Sequence, residues 1–126
     1  MLKIDADNMT ISMTRGDTVS IVFSAVYTDG QFYVPSNGDV LTFSAAKKVG
    51  ATPLVEISNT MNGDTDAFWE IVIPASATED MKFGEYAFDV QLEHTSNGVK
   101  EVNTIIGKTD DMSPTLKLWG EVSQEV

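Results

Sequence analysis

The chain has 126 residues, of which 42% are hydrophobic and 21% charged, and its 19 acidic against 8 basic side chains give a formal net charge of −11. This length and composition fit one globular domain with its own core, and they differ from those of disordered chains. The lack of cysteine excludes disulfides, thiolate nucleophiles and cysteine-based metal sites. The acidic balance disfavours nucleic acids and anionic lipids as partners, because Lys and Arg supply most of the affinity for phosphate groups.

The amino terminus predicts neither export nor membrane insertion. Residues 1–7 contain no apolar segment of the kind found in signal peptides and become acidic within a few positions. No apolar run approaches the roughly 20 residues that span a bilayer. We therefore expect a protein without a signal peptide and without a membrane partner.

Alternating apolar and polar residues predict β-strands along the first half of the chain. Turn residues separate them at Gly16-Asp17, at Asp29-Gly30, which is typical of a type I′ hairpin turn, and in a loop at residues 35–39. The strands are predicted at residues 8–14, 19–27, 31–34 and 40–47.

The second half shows the same alternation with one interruption. Residues 74–83 predict a single helical turn, with Pro74 in its first turn and Ser76 or Thr78 as its cap. Residues 85–93 alternate most regularly and predict a half-buried strand. Further strands are predicted at residues 54–58, 68–73 and 99–106, with a last one in a carboxy-terminal extension at residues 108–126.

Seven or eight short strands, with turns every 8–12 residues or so, predict an all-β fold, namely an antiparallel β-sandwich. The spacing leaves no room for the crossover helices of a parallel sheet. We expect one domain over residues 1–126, with its core at about 8–107.

Side chains suited to catalysis are few. His94 is the one histidine, it lies at a predicted strand end, and no Gly-x-Ser-x-Gly motif offers a nucleophile. Among 19 acids some carboxylates will be close by chance, so pairs of them carry little weight. We predict an exposed histidine, no enzyme activity and no cofactor.

Short acidic segments are the candidates for calcium ligands. The segment Asn62-Gly63-Asp64-Thr65-Asp66 resembles part of a calcium loop but lacks the bidentate glutamate at the required distance. We therefore expect solvated turn acids instead of a metal site. The other acidic segments are Asp5-Ala6-Asp7 and Asp110-Asp111.

Arg15-Gly16-Asp17 matches the tripeptide by which some adhesive proteins bind integrins. Gly16 permits a positive φ, and Asp17 or Thr18 can hydrogen-bond the backbone where the next strand begins. The tripeptide therefore favours a turn.

Aromatic residues supply the candidate interface. Phe32 and Tyr33 are adjacent in a predicted strand, so one ring must face away from the core, and the same holds for Phe68 and Trp69. Exposed rings favour a protein interface, since Tyr and Trp are enriched there, with glycan binding as the alternative. The candidate interface residues are Phe32, Tyr33, Leu116, Leu118 and Trp119.

Gly84-Glu85-Tyr86-Ala87-Phe88 resembles the Gly-x-Tyr-x-Cys motif of immunoglobulin-like domains. Phe88 stands in place of the cysteine and Lys82 in place of the usual aspartate. The resemblance implies an immunoglobulin-like sandwich in which Tyr86 begins the sixth strand at the corner.

Over residues 9–122 the chain resembles small β-sandwich proteins of tailed bacteriophages and prophages, notably the amino-terminal domain of upper baseplate proteins. The resemblance implies a virion structural protein, assembled in the bacterial cytoplasm, that forms homo-oligomers and contacts other virion proteins. The chain ends at Val126 without the fibre region of such proteins, which leaves a stand-alone accessory or connector open. The motifs that carry the resemblance are Arg15-Gly16-Asp17-Thr18, Gly38-Asp39 before Leu41-Thr42-Phe43, Trp69-Glu70-Ile71, Gly84 to Leu92, and Thr104-Ile105-Ile106-Gly107-Lys108.

Overall fold

A computed structural model describes residues 2–27, 29–61 and 68–120, with Phe68 described by its backbone alone. It confirms the all-β prediction. The elements are β1 Leu2–Asp5, β2 Thr10–Thr14, β3 Val19–Ser24, β4 Val40–Ala46, β5 Pro53–Thr60, β6 Phe68–Ile73, α1 Ala75–Thr78, β7 Gly84–Ser96, β8 Val99–Ile106 and β9 Thr115–Trp119.

The strands form a large and a small sheet. The large sheet has seven strands in the order β1-β2-β9-β7-β4-β5, with β8 also paired to β7, and the small sheet is β3-β6. β9 pairs with residues 84–87 of β7 and β8 with residues 90–96. One strand pair departs from the predicted antiparallel arrangement, because β2 runs parallel to β9.

The core lies between the two sheets and follows the period of two that the sequence displays. In β7 the side chains of Tyr86, Phe88, Val90 and Leu92 are buried, as the alternation predicted. Phe43 of β4 packs against Phe88, with ring centroids 5.3 Å apart. Each such buried side chain stabilises the fold by roughly 1.5–3 kcal/mol.

Several local predictions require correction. Residues 31–34 do not form a strand and pair only through an isolated bridge between Val26 and Phe32. At the predicted type I′ turn, Gly30 has a positive φ, and the bond from the Tyr27 amide to the Gln31 carbonyl closes a loop longer than the predicted two residues.

The helical turn is present as α1, but neither proposed residue caps it. Its N-cap is Pro74, which has no side chain that could accept a bond from the helix. Thr78 is buried, and its Oγ1 accepts the Gly16 amide instead. The polar side chain expected to cap a helix thus ties α1 to the β2–β3 turn.

β9 is the predicted last strand, but it does not lie in an extension outside the core, as the sequence predicted. It lies between β2 and β7, so both of its edges are paired. Leu116 and Leu118 are 0% and 2% exposed. Their prediction as surface residues is therefore wrong: alternation turns both side chains into the core, and the strand is part of the sandwich and not an extension.

Among the described residues, no helix has the length and hydropathy that crossing a bilayer would require.

Candidate functional site

The loop between β3 and β4 carries a cluster of exposed apolar side chains. Each member is between 53% and 58% exposed, although aliphatic and aromatic residues are usually buried. We call this cluster the hairpin surface; it consists of Val26, Tyr27, Phe32 and Val34.

Tyr33 fastens this loop to the sandwich. Its amide donates to the Ala25 carbonyl, and its ring stacks on Trp69 at an interplanar angle of 5° and a centroid distance of 6.3 Å. Phe32 faces solvent, so the prediction that only one of the two adjacent rings can pack inward is confirmed. Trp69 is buried, and the side chain of Phe68 lies outside the described part of the chain.

The buried carboxylate of Asp39 also holds the loop between β3 and β4 against the sandwich. Asp39 is 1% exposed, and its Oδ2 accepts the Tyr33 hydroxyl at 2.5 Å and the Ser36 amide at 2.9 Å. Its Oδ1 lies 2.8 Å from Nδ1 of His94. The network therefore joins the hairpin, the segment before β4 and the far end of β7.

The pKa values of this network follow from its contacts. Burial raises the pKa of Asp39, but the hydrogen bonds from Tyr33, Ser36 and His94 lower it by more, so it lies below its usual value. Burial and the neighbouring Asp39 raise the pKa of Tyr33 to about 12. An ionised carboxylate only accepts hydrogen bonds, so we infer that Nδ1 of His94 carries a hydrogen.

His94 differs from the exposed histidine that the sequence predicted. Its side chain is 31% exposed, and its ring is held by a carboxylate. The two hydrogen bonds described for the ring, with Asp39 and Tyr33, both use Nδ1. Periodicity does not reveal this contact, because Asp39 and His94 are 55 residues apart and meet only when β4 pairs with β7.

The Arg15-Gly16-Asp17 tripeptide forms the turn that the sequence favoured. Gly16 has a φ of 84°, and the Asp17 amide donates to the Thr14 carbonyl. The Arg15 guanidinium lies 4.2 Å from the centre of the Phe83 ring and donates to the Met81 carbonyl at 3.2 Å. The arginine is thus engaged within its own chain.

A second exposed aromatic group lies where β9 ends. Phe83 and Trp119 are 53% and 51% exposed and border a cavity of about 390 Å³, which Glu85 and Lys117 also line. We call this group the aromatic end. A Cβ at Gly120 would lie 2.9 Å from the Phe83 ring, so glycine permits the close contact. Trp119 was predicted as exposed, whereas Phe83 was missed because it precedes the alternating strand.

The described residues contain no group of three or more His, Cys, Asp or Glu side chains that could hold a metal ion. Asp5 accepts hydrogen bonds from Asn8 and from the Asp7 amide, which lower its pKa. Asp110 and Asp111 are exposed. The calcium candidate at residues 62–66 lies outside the described residues.

No family model matches the chain, and no curated protein does so either.

Proposed function

We propose that the protein is a non-catalytic structural and assembly module of a phage or prophage virion. The observation that carries the proposal is the hairpin surface, which holds four apolar side chains in solvent on a fixed base. Monomeric proteins rarely keep such groups exposed together unless a partner covers them. We assign its partners as further copies of this chain and other virion proteins.

The attachment of the hairpin supports an interface role. Ordering a loop on binding costs free energy, and this cost is reduced when the loop is already held. Tyr33 and Asp39 hold the hairpin from inside, while the side chains of Tyr27 and Phe32 are 56% and 53% exposed. Aromatic side chains of this kind are enriched at protein interfaces.

The hydrogen bond of Tyr86 supports an immunoglobulin-like assignment of the sandwich. The Tyr86 hydroxyl donates to the Lys82 carbonyl at 2.7 Å, which is the hydrogen bond of a tyrosine corner. The donor is the tyrosine of the Gly-x-Tyr motif in the sequence. It agrees with the resemblance to phage β-sandwich proteins, on which the virion assignment rests.

Light scattering over a range of protein concentrations tests the assembly role. We expect the mass to rise with concentration, and the double substitution Tyr27→Ser and Phe32→Ser to restore the monomer. The matched control is Val49→Ser with Leu54→Ser, which removes two apolar residues of similar exposure elsewhere. A wild-type monomer at every concentration, or equal association by both double variants, would contradict self-assembly through this surface.

The virion assignment has a separate test. If the chain is a virion component, particles purified from its host should contain it in a fixed ratio to the other structural proteins. Its absence from purified particles would contradict the assignment, whatever its oligomeric state.

The aromatic end favours a second candidate function, the binding of surface glycans. Sugar rings stack on exposed aromatic rings, and Glu85 and Lys117 beside the cavity can hydrogen-bond their hydroxyl groups. A glycan array should then show binding that Trp119→Ala abolishes and Phe32→Ala preserves. Silence of the wild-type protein on the array would leave only the assembly role.

A further inference from the structure

The small sheet ends at β3. This strand pairs with β6 along Val19–Ser24, and in the described part of the chain no other strand pairs with it. A strand with one unpaired edge presents a row of backbone N–H and C=O groups to which another strand can bond.

The large sheet extends past this edge and leaves apolar residues uncovered. Leu2 and Ile4 of β1 are 39% and 49% exposed, although they alternate with Lys3 and share the core face of Ile11 and Met13. They are exposed because the two-stranded sheet is too narrow to cover β1. Within the described residues, the sandwich therefore has no layer above β1 and beside β3.

A groove of about 280 Å³ occupies this place. Four consecutive residues of β3, 21–24, border it. A cavity above the face of a strand would be lined by alternate residues, so the groove lies along the edge of β3. Its apolar lining includes Ile4, Ile11, Ile21, Phe23, Phe88 and Ile106.

The edge of β3 also lacks the features by which edge strands usually avoid pairing. Its sequence, Val-Ser-Ile-Val-Phe-Ser, contains no charge and no proline. β1 and β8 carry charged residues, and β5 begins with Pro53 and contains Glu56. Among these strands, β3 alone is suited to pairing.

We propose that this groove accepts one extended segment of a partner protein, which pairs with β3 and completes the small sheet. Its inward residues are apolar, to cover Ile4 and Ile106, and its outward and flanking residues are basic. The basic character follows from charge: no charged residue lines the groove, Asp5 and Asp7 flank Ala6 at its rim, and the chain carries a net charge of −11. A whole second domain does not fit, because β1 and β2 form the opposite wall of the groove.

The probe is a synthetic peptide, Lys-Val-Lys-Val-Thr-Val-Lys-Val-Lys. Hydrogen exchange of the full chain should show the β3 amides slowed at least about tenfold by the peptide, with the amides of β5 unchanged. Two N-methylated versions of the peptide test backbone pairing, each with one alternate set of its amides blocked. Only one set can face β3, so one of the two versions should fail to bind. A version with Glu in place of Lys should bind at least about tenfold more weakly.

Ile4→Lys tests the groove, with Leu54→Lys as the matched control because Leu54 is similarly exposed at 55% and lies on β5. We expect about tenfold weaker peptide binding for the first variant and less than about twofold for the second. Unchanged β3 exchange, equal binding of both N-methylated peptides, or equal binding of the Glu peptide would each overturn the proposal. The hairpin surface shares no residue with the groove, so failure here leaves the assembly test above standing.

Discussion

At the scale of single residues, Asp39 decides how the hairpin is held. It is a carboxylate buried in the sandwich, and each of its oxygens accepts a hydrogen bond from a different part of the chain. Such a group stabilises the fold only while its partners are in place, because an unpaired buried polar group is costly.

Replacing the Asp39 carboxylate should therefore destabilise the fold strongly. Asp39→Asn keeps the shape but removes the charge that Tyr33 and His94 bond, and we expect a loss of about 2–4 kcal/mol in the free energy of unfolding. Urea denaturation measures the loss. The exposed Asp110→Asn is the control, with an expected change below about 0.5 kcal/mol. Equal effects of the two substitutions would contradict the role assigned to Asp39.

Stability should also depend on pH through Tyr33. Its folded pKa is raised from 10.0 to about 12, so its contribution is complete below pH 10 and is lost as the pH rises towards 12. Tyr33→Phe should remove this part of the alkaline loss, which thermal unfolding at several pH values can measure. Parallel alkaline curves for the wild type and the variant would show that the phenol is not the group responsible.

At acidic pH, stability should depend on pH through Asp39, and here stability is lost as the pH falls. The pKa of Asp39 is lowered from its ordinary value of 3.8, so its contribution is present above that value and is lost as the pH falls through the lowered one. Wild type and Asp39→Asn should therefore become more similar in stability as the pH falls below 3.8. A constant difference between their unfolding midpoints over that range would argue against an ionised Asp39.

At the scale of elements, β7 shows most directly how alternation sets the fold. Phe88 faces the core and is 5% exposed, whereas Gln91 faces outward and is half-buried. Phe88→Asp should unfold the protein, because an unpaired buried charge costs more than about 4 kcal/mol. Gln91→Asp should change stability by less than about 1 kcal/mol. Circular dichroism distinguishes a folded from an unfolded variant. A folded Phe88→Asp protein would show that the Phe88 side chain does not face the core.

The corner before β7 gives a second test at this scale. Tyr86→Phe removes only the hydroxyl that bonds the Lys82 carbonyl, and we expect a loss of about 0.5–1.5 kcal/mol. Tyr27→Phe removes a hydroxyl from a ring that is 56% exposed and should cost close to nothing. Urea denaturation of both variants compares them. A larger loss from Tyr27→Phe would contradict a stabilising corner.

The buried face of a strand could be predicted where apolar and polar residues alternate along that strand. Residues 85–93 alternate without exception, so β7 and its buried face were predictable. Leu116 and Leu118 alternate equally well, but alternation does not say which edge of a strand is paired, so the central place of β9 could not be read from it. β1 was missed because four residues are too few to establish a period.

At the scale of the whole molecule, the net charge of −11 gives the clearest expectation. Excess like charge destabilises a compact state, and salt screens it: the Debye length falls from about 30 Å at 0.01 M to about 8 Å at 0.15 M. We therefore expect the thermal midpoint to rise as sodium chloride is added over this range. A falling midpoint would mean that the salt bridges, such as the one between Lys117 and Glu85, outweigh the repulsion.

By itself the sequence determined the all-β class, the lack of cysteine chemistry, the acidic field, and the buried face of each well-alternating strand. These depend on composition and on contacts between residues near each other in the chain. The tertiary structure alone decided that Asp39 meets His94, that β9 lies in the middle of the large sheet, and that β3 is left with an open edge above β1. Each of these depends on which strands are neighbours, and strand order is a property of long-range packing that a period of two residues does not encode.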